Sequence, residues 1–219
     1  MIKAVIFDFN GVILDDTAHI WKARNQYLSK YGVHLSIGDI KPLLGCSLKD
    51  QLDKINDKYN LNIDCEDFAK NTRAEVDRLL GPNITPDKGV KELISDLQQN
   101  KVKVGIASMY PRELLLKKLQ AMNLLEAFPI ITALEDANGH KDRSDALQIE
   151  SEKLGVLPSE CVFVDDSVHG IPVAKKSDMK FIGKVTQFHR AEDFIGADLI
   201  VHSLEELNAG KILNLSEEA

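Results

Sequence analysis

An acid and an amide follow a short apolar run at the start of the chain. Residues 3–8 are Lys-Ala-Val-Ile-Phe-Asp, and Asn10 and Gly11 come shortly after Asp8. Residues two apart on an extended chain point to the same side, so Asp8 and Asn10 can face one pocket, and Gly11 allows a sharp turn after them. Capping the next helix or closing a turn is the alternative role for such an acid. Asp8 is therefore a candidate catalytic residue that other segments must support.

Two adjacent acids, Asp165 and Asp166, directly follow another apolar run at residues 161–164. Unpaired carboxylates at the edge of a core repel each other and lose hydration, which is costly unless they bind something. Their oxygens suit Mg²⁺, which typically takes one or two protein carboxylates together with phosphate oxygens and water. The pair therefore predicts a magnesium site.

Two further segments carry groups that could hold a phosphate. Ser108 follows the apolar run 102–107, and a helix pattern begins near Pro111. A hydroxyl and free backbone N–H groups at a helix start can hold a phosphate, although an ordinary N-cap serine is common. Lys141 lies in a loop after the third apolar run, where a single lysine is usually a solvated surface charge. These segments indicate phosphate chemistry when they are taken with the acids.

Six short apolar runs must position these residues. Runs this short and rich in Val and Ile predict strands that are buried on both faces. From residue 86 onward they alternate with amphipathic helix patterns, which predicts an α/β fold with a Rossmann-like, doubly wound parallel sheet. Ligands bind beyond the carboxyl ends of the strands in such sheets. The runs are residues 3–8, 102–107, 129–132, 161–164, 180–183 and 199–201.

Residues 15–85 interrupt this alternation and contain no convincing strand pattern. We interpret them as a helical domain inserted into an α/β core domain of residues 1–14 and 86–219. The helix patterns cover residues 17–31, 47–59 and 66–80, and the candidate helix caps are Ser36, Ser47 and Asp64.

Composition narrows the possible partners and location. The 219 residues carry a net charge of −7, which argues against nucleic acid, because phosphate backbones require a basic surface. No apolar run approaches the roughly 20 residues that span a bilayer, so we expect no membrane partner. The chain begins with a strand pattern rather than a signal peptide, and its three cysteines are scattered. We expect a cytoplasmic protein that is a monomer or a weak homodimer.

The four polar segments, in this order and spacing, resemble the haloacid dehalogenase-like superfamily of phosphotransferases. The family pattern is Asp-x-Asp-Gly-Thr/Val on the first strand, Ser or Thr after the second, Lys in a later loop and paired acids after a further strand. The resemblance covers nearly the whole chain. Residues 15–85 resemble the small helical cap domain of the branch that contains phosphatases and β-phosphoglucomutases.

The resemblance implies a Mg²⁺-dependent phosphohydrolase that acts on a small phosphorylated metabolite through an aspartyl-phosphate intermediate. Asp8 would be the nucleophile. Mg²⁺ would be held by the Asp8 carboxylate, the backbone carbonyl of Asn10 and Asp166, with Asp165 helping directly or through water. The phosphoryl oxygens would be held by Ser108, the backbone N–H of Met109, and Lys141.

Asn10 departs from the family pattern, because the family's second Asp is the general acid and base. An amide cannot carry that proton, and general acid–base catalysis is typically worth about 10²–10⁴-fold. Three explanations stay open: a slow natural enzyme aided by its substrate or another residue, an engineered change that traps a complex, and a phosphate-ligand binding protein with weakened catalysis. His140 and His169 are alternative sources of the proton.

Other branches of the family are also considered. Dehalogenases use no metal, so the paired acids argue against that branch. Phosphonate hydrolases use a cap lysine as a Schiff base, but the cap lysines here have the pattern of solvated helix-face charges. A sugar-phosphate mutase remains an alternative, although Leu48 stands where mutases place a basic residue. The cap should choose the substrate, and its candidate contacts are His19, Arg24 and Lys49.

Overall fold

The chain divides into two compact units in the computed structural model, which describes residues 1–136 and 143–215. The sheet unit comprises Met1–Asp15 and the chain from Thr85 onward, and the helical unit comprises Asp16–Ile84. No helix within the described residues is long and apolar enough to cross a membrane.

The sheet unit contains six parallel strands in the order β3-β2-β1-β4-β5-β6. The predicted α/β fold with a parallel sheet is therefore confirmed. Each residue of the first strand is fully buried, as expected for a strand in the middle of such a sheet. The strands are β1 (Ala4–Phe7), β2 (Lys103–Ala107), β3 (Ile130–Thr132), β4 (Cys161–Asp165), β5 (Lys180–Lys184) and β6 (Leu199–Val201).

The helices follow the predicted order along the chain. They are α1 (Thr17–Leu28), α2 (Ile37–Ile40), α3 (Leu48–Tyr59), α4 (Cys65–Leu80), α5 (Val90–Gln99), α6 (Arg112–Ala121), α7 (Arg143–Leu154), α8 (Gly170–Lys176) and α9 (Ala209–Asn214). Within the sheet unit, α5, α7 and α8 pack on the strands. One core cluster joins α7 and α8 to the sheet and contains Phe163, Phe181 and Phe194.

The helical unit is built from α1 to α4, and none of its residues, all of which are described, lies in a strand. Helix α1 packs on α4, where the Tyr27 and Phe68 rings meet edge to face with centroids 5.2 Å apart. The three predicted caps are confirmed, because Ser36, Ser47 and Asp64 each accept a hydrogen bond from the backbone N–H three residues on.

Two strands run one residue further than their apolar runs predicted. Asp165 belongs to β4 because its backbone pairs with Gly183, and Lys184 belongs to β5 because its backbone pairs with Val201. The apolar pattern did not predict these two strand ends because both residues have charged side chains. Pairing between strands depends on the backbone rather than on hydropathy. One acid and one lysine are therefore held directly by the sheet.

Candidate active site

Three buried carboxylates meet at one edge of the sheet. Asp8, Asp165 and Asp166 each offer an oxygen atom, and these three atoms lie within 4.8 Å of one another. The side chains are almost completely shielded from solvent, with Asp165 at 0% exposure. Like charges this close and this buried raise the free energy of the ionised cluster unless a cation or hydrogen-bond donors compensate.

Strand register explains why residues so distant in sequence meet. In the sheet β1 lies beside β4, and Phe7 pairs with Val164, so that Asp8 and Asp165 follow at the same level. The Asp8 N–H continues the ladder by donating to the Val164 carbonyl at 2.9 Å. Both acids therefore leave the sheet at its carboxyl edge, where α/β proteins bind ligands.

Local hydrogen bonds orient two of the acids. Asp8 Oδ1 accepts a hydrogen bond from the Phe9 N–H at 2.8 Å, and Asp165 Oδ1 accepts one from the Ser167 N–H at 3.2 Å. Gly170 leaves room for Asp165, because a Cβ at that position would lie 2.5 Å from Asp165 Oδ2.

The chain turns tightly after Asp8. Gly11 has a φ of 77°, in the region that favours glycine, and its N–H donates to the Leu14 carbonyl at 2.7 Å. The Phe9 carbonyl accepts hydrogen bonds from the N–H groups of Ile13 and Leu14. Asn10 is partly buried and lies in this turn, two residues beyond Asp8. Backbone hydrogen bonds of the turn, rather than a regular helix or strand, therefore fix its position.

Ser108 and Met109 lie just beyond the end of β2, the strand on the other side of β1. Ser108 is buried, and its N–H donates to the Thr132 carbonyl at 2.9 Å. Met109 is partly buried. Tyr110 stacks on Phe9 with ring centroids 5.9 Å apart, which holds the segment after β2 against the segment after β1.

Several predicted residues are not placed at the acidic cluster. Lys141 and His140 lie outside the described residues. His19, Arg24 and Lys49 belong to the helical unit.

Within the helical unit, the three candidate substrate contacts differ in their surroundings. Arg24 donates to Gln51 and stacks on Trp21, whose ring is buried and lies 4.5 Å away. Lys49 is exposed and forms an ion pair with Asp53 at 2.6 Å. His19 is partly buried near the start of α1, and its Nδ1 atom is shielded from solvent.

Sequence reasoning missed Lys184 at the end of β5. Its ammonium group is buried, donates to the Gly11 carbonyl at 2.7 Å and lies 2.5 Å from Asp87 Oδ2. A lysine directly after the apolar run 180–183 was a usable signal, because it stands at a strand end as Asp8 and Ser108 do. The pattern alone did not distinguish it from a solvated charge.

The donor set fits a hard divalent cation. Three carboxylate oxygens within 4.8 Å of one another supply the ligand type that Mg²⁺ prefers, and among the described residues no thiolate or imidazole ligand typical of zinc sites joins this cluster. The cation would therefore be held by Asp8, which follows β1, and by Asp165 and Asp166 at the end of β4.

Comparison with known proteins identifies a matching family model, relatives of similar sequence and a solved structure of similar fold. A family model described as haloacid dehalogenase-like hydrolase matches residues 5–184. The chain is 27% identical over 224 residues to hexitol phosphatase B of Escherichia coli, covering 97% of each chain. It is 23% identical over 212 residues to the phosphorylated carbohydrates phosphatase of Thermotoga maritima, covering 95% of this chain and 98% of the relative. The crystal structure of β-phosphoglucomutase from Clostridium difficile matches the fold with a TM-score of 0.85 at 22% identity, covering 100% of this chain and 98% of that one.

Proposed function

Because the chain belongs to the haloacid dehalogenase-like hydrolase family, we propose that it is a Mg²⁺-dependent phosphohydrolase that acts on a small phosphorylated metabolite through Asp8. The family predicted from the four motifs is confirmed. The convergence of Asp8, Asp165 and Asp166 within 4.8 Å carries the proposal, because it joins a nucleophile to a cation site.

In the first step an Asp8 oxygen forms a bond to phosphorus while the bond from phosphorus to the leaving oxygen breaks. The leaving oxygen departs with the electron pair, and an aspartyl-phosphate remains. Water then attacks this acyl phosphate, releases inorganic phosphate and regenerates the Asp8 carboxylate. The Phe9 N–H holds Oδ1 of Asp8 at 2.8 Å, which fixes the plane of the carboxylate for attack.

The charges of the reaction require compensation, since an anionic nucleophile approaches an anionic phosphoryl group. Mg²⁺ bound by Asp8, the Asn10 carbonyl, Asp166 and Asp165 would supply electrostatic stabilisation of the phosphoryl oxygens. The Ser108 hydroxyl, the Met109 N–H and Lys141 would bind the same oxygens and orient them. Placement of Ser108 and Met109 just beyond β2, beside β1, supports this role.

Asn10 sets the class of substrate that this chemistry favours. An amide cannot protonate the leaving oxygen or deprotonate the attacking water, and losing such catalysis typically costs about 10²–10⁴-fold in rate. The loss is smallest for leaving groups that are stable as anions. We therefore expect acyl phosphates, phosphoanhydrides and anomeric sugar phosphates to react faster than phosphates of simple alcohols.

The helical unit would act as the cap that selects the substrate, with His19, Arg24 and Lys49 as contacts. Arg24 already interacts with Gln51, and Lys49 with Asp53. A substrate that binds the Arg24 or Lys49 side chain would therefore share or replace those interactions. Relatives named as phosphatases of hexitols and phosphorylated carbohydrates support sugar phosphates as the first substrates to test. We expect the protein to act in the cytoplasm as a monomer or weak homodimer.

A phosphate-release screen over phosphorylated metabolites with and without Mg²⁺ tests the function. It compares the parent chain with Asp8→Asn and Asn10→Asp. We expect slow Mg²⁺-dependent release by the parent, faster release by Asn10→Asp and none by Asp8→Asn. Unchanged activity in Asp8→Asn would exclude Asp8 as nucleophile. Binding without turnover in both the parent and Asn10→Asp would favour a phosphate-ligand binding protein, and phosphorus NMR would reveal a mutase by transfer of phosphate without its release.

A further inference from the structure

The turn that carries Asn10 is joined to strand β5 by one buried lysine. Lys184 is the last residue of β5, and only 4% of it is exposed. Its Nζ donates to the Gly11 carbonyl at 2.7 Å and lies 2.5 Å from Asp87 Oδ2. One ammonium group therefore contacts both Gly11, the residue after Asn10, and Asp87, which is distant from Gly11 in the sequence.

Asp87 adds a second tie to the same turn. Its backbone N–H donates to the Ile13 carbonyl at 2.9 Å, and its Oδ1 accepts from the Lys88 N–H at 2.7 Å. The segment that leaves the sheet unit after the turn and the segment that re-enters it near residue 85 are thus fastened to each other and to β5. Lys184 completes this arrangement, because its ammonium group binds the carbonyl of Gly11 in the turn.

The burial of the Lys184 ammonium group separates this ion pair from ordinary surface pairs. Exposed pairs contribute little to stability, and the Lys180–Asp198 pair at the start of β5 is of that more solvent-accessible kind. A buried ammonium group loses hydration and requires both a counterion and hydrogen-bond acceptors. The Gly11 carbonyl and Asp87 meet those needs, so Lys184 has a well-defined position from which to orient the turn.

We propose that Lys184 is a positioning residue of the Asp8 site, which fixes the Asn10–Gly11 backbone against the cluster of Asp8, Asp165 and Asp166. The proposal rests on the proposed function, in which the Asn10 carbonyl is a Mg²⁺ ligand. Without the ammonium group the Gly11 carbonyl loses its anchor to β5, and the left-handed glycine lets the turn rotate. The Asn10 carbonyl then leaves the orientation that the cation requires.

The test compares Lys184→Met with Lys184→Arg and with Lys180→Met, a matched control that removes a lysine from the other end of the same strand. Mg²⁺ affinity is measured by calorimetry, and kcat and KM are measured on the best substrate of the screen. We expect Lys184→Met to weaken Mg²⁺ binding and lower kcat by about 10- to 100-fold, the usual effect of losing a group that orients a ligand. KM should change less, Lys184→Arg should restore part of both, and Lys180→Met should change neither.

A double variant separates positioning from stability. Lys184→Met alone leaves Asp87 without its buried partner and will lower the free energy of unfolding, whereas Lys184→Met with Asp87→Asn removes both charges and keeps an acceptor for the Lys88 N–H. We expect the double variant to recover stability but not Mg²⁺ affinity. Recovery of Mg²⁺ affinity together with stability, or parent-like Mg²⁺ affinity in folded Lys184→Met, would overturn the proposal. Calorimetry needs no turnover, so a failure of the proposed function, seen as unchanged activity in Asp8→Asn, is distinguishable from a failure of this one.

Discussion

Gly170 lies directly against the carboxylate of Asp165, and a Cβ added to the glycine would stand 2.5 Å from Asp165 Oδ2. The same added Cβ would stand only 2.6 Å from Cε2 of the Phe181 ring. The first residue of α8 is therefore packed between one acid of the cluster and a core aromatic ring. The position of the Asp165 carboxylate therefore depends on the absence of a side chain at residue 170.

Gly170→Ala should consequently disturb both folding and cation binding. The methyl group must displace either the carboxylate or the ring, and overpacking of this kind typically costs about 1–3 kcal/mol. We expect a lower urea midpoint and weaker Mg²⁺ binding by calorimetry. Gly38→Ala is the control, because its new Cβ would meet only Ser36 Oγ at an ordinary 3.6 Å. Parent-like Mg²⁺ affinity in Gly170→Ala would contradict the expected displacement of a cation-binding Asp165 carboxylate.

The acidic cluster should make the metal-free protein less stable than its neutralised variant. Like charges within 4.8 Å repel, so Asp166→Asn should raise the melting temperature in EDTA. Saturating Mg²⁺ should stabilise the parent by about 2.7 kcal/mol at one hundred times its dissociation constant, and Asp166→Asn should lose this response. The exposed Asp57→Asn serves as a charge-matched control in thermal melts with and without Mg²⁺. Equal Mg²⁺ stabilisation of the parent and Asp166→Asn would contradict a cation site at Asp166.

Glu150 should give folding a pH dependence that is separable from the active site. It is fully buried in α7 against Gly105, where a Cβ would lie 2.1 Å from its Oε1, and burial raises its pKa from 4.5 to about 7. The charged groups that face it are Lys153 and Asp136. Because the folded chain holds this proton more tightly than the unfolded chain, the contribution of Glu150 to the free energy of unfolding falls as pH rises from about 4.5 to 7.

Glu150→Gln removes this dependence. The difference in unfolding free energy between Glu150→Gln and the parent should therefore grow in favour of the variant by roughly 3 kcal/mol between pH 4 and pH 8. Urea unfolding across that range measures it, and taking the difference cancels the titration of the other carboxylates. The exposed Glu92→Gln should show no such trend. A difference that stays constant with pH would mean that Glu150 titrates normally.

The sheet and most of its polar edge were predictable from simple patterns. Short Val- and Ile-rich runs predicted the strands, and parallel strands bring their carboxyl ends to one edge, so Asp8, Ser108 and Asp165 were expected near each other. The register that sets Phe7 opposite Val164 was not predictable, because buried strands are apolar on both alternations and carry no mark of their pairing.

Lys184 and Glu150 were missed for a related reason. A charged residue at a strand end or in a helix normally predicts solvent exposure, and burial becomes evident only with its partners. The hydrogen bond from Lys184 to Gly11 spans 173 residues, and the space for Glu150 depends on a glycine in another element. Neither relationship leaves a local pattern, since the compensating groups are supplied by the tertiary fold.

The absence of a proton donor at Asn10 should appear in the response to leaving-group chemistry. A series of aryl phosphates from para-nitrophenyl phosphate to phenyl phosphate, together with an alkyl phosphate, varies the stability of the departing anion while the phosphoryl group stays the same. Without protonation, log kcat/KM of the parent should fall steeply as the pKa of the leaving alcohol rises. Asn10→Asp should flatten the slope, because an acid that protonates the leaving oxygen offsets its developing charge.

The gain from Asn10→Asp should be largest for the alkyl phosphate, where it approaches about 10²–10⁴-fold, and smallest for para-nitrophenyl phosphate. Asn25→Asp is the matched control, because it makes the same chemical change in the helical unit, where Asn25 hydrogen-bonds the Leu35 backbone. Parallel slopes for the parent and Asn10→Asp would mean that another group already protonates the leaving oxygen in the parent, and His169 would be the first described residue to substitute. A shallow slope that steepens in His169→Gln would assign the proton to that histidine.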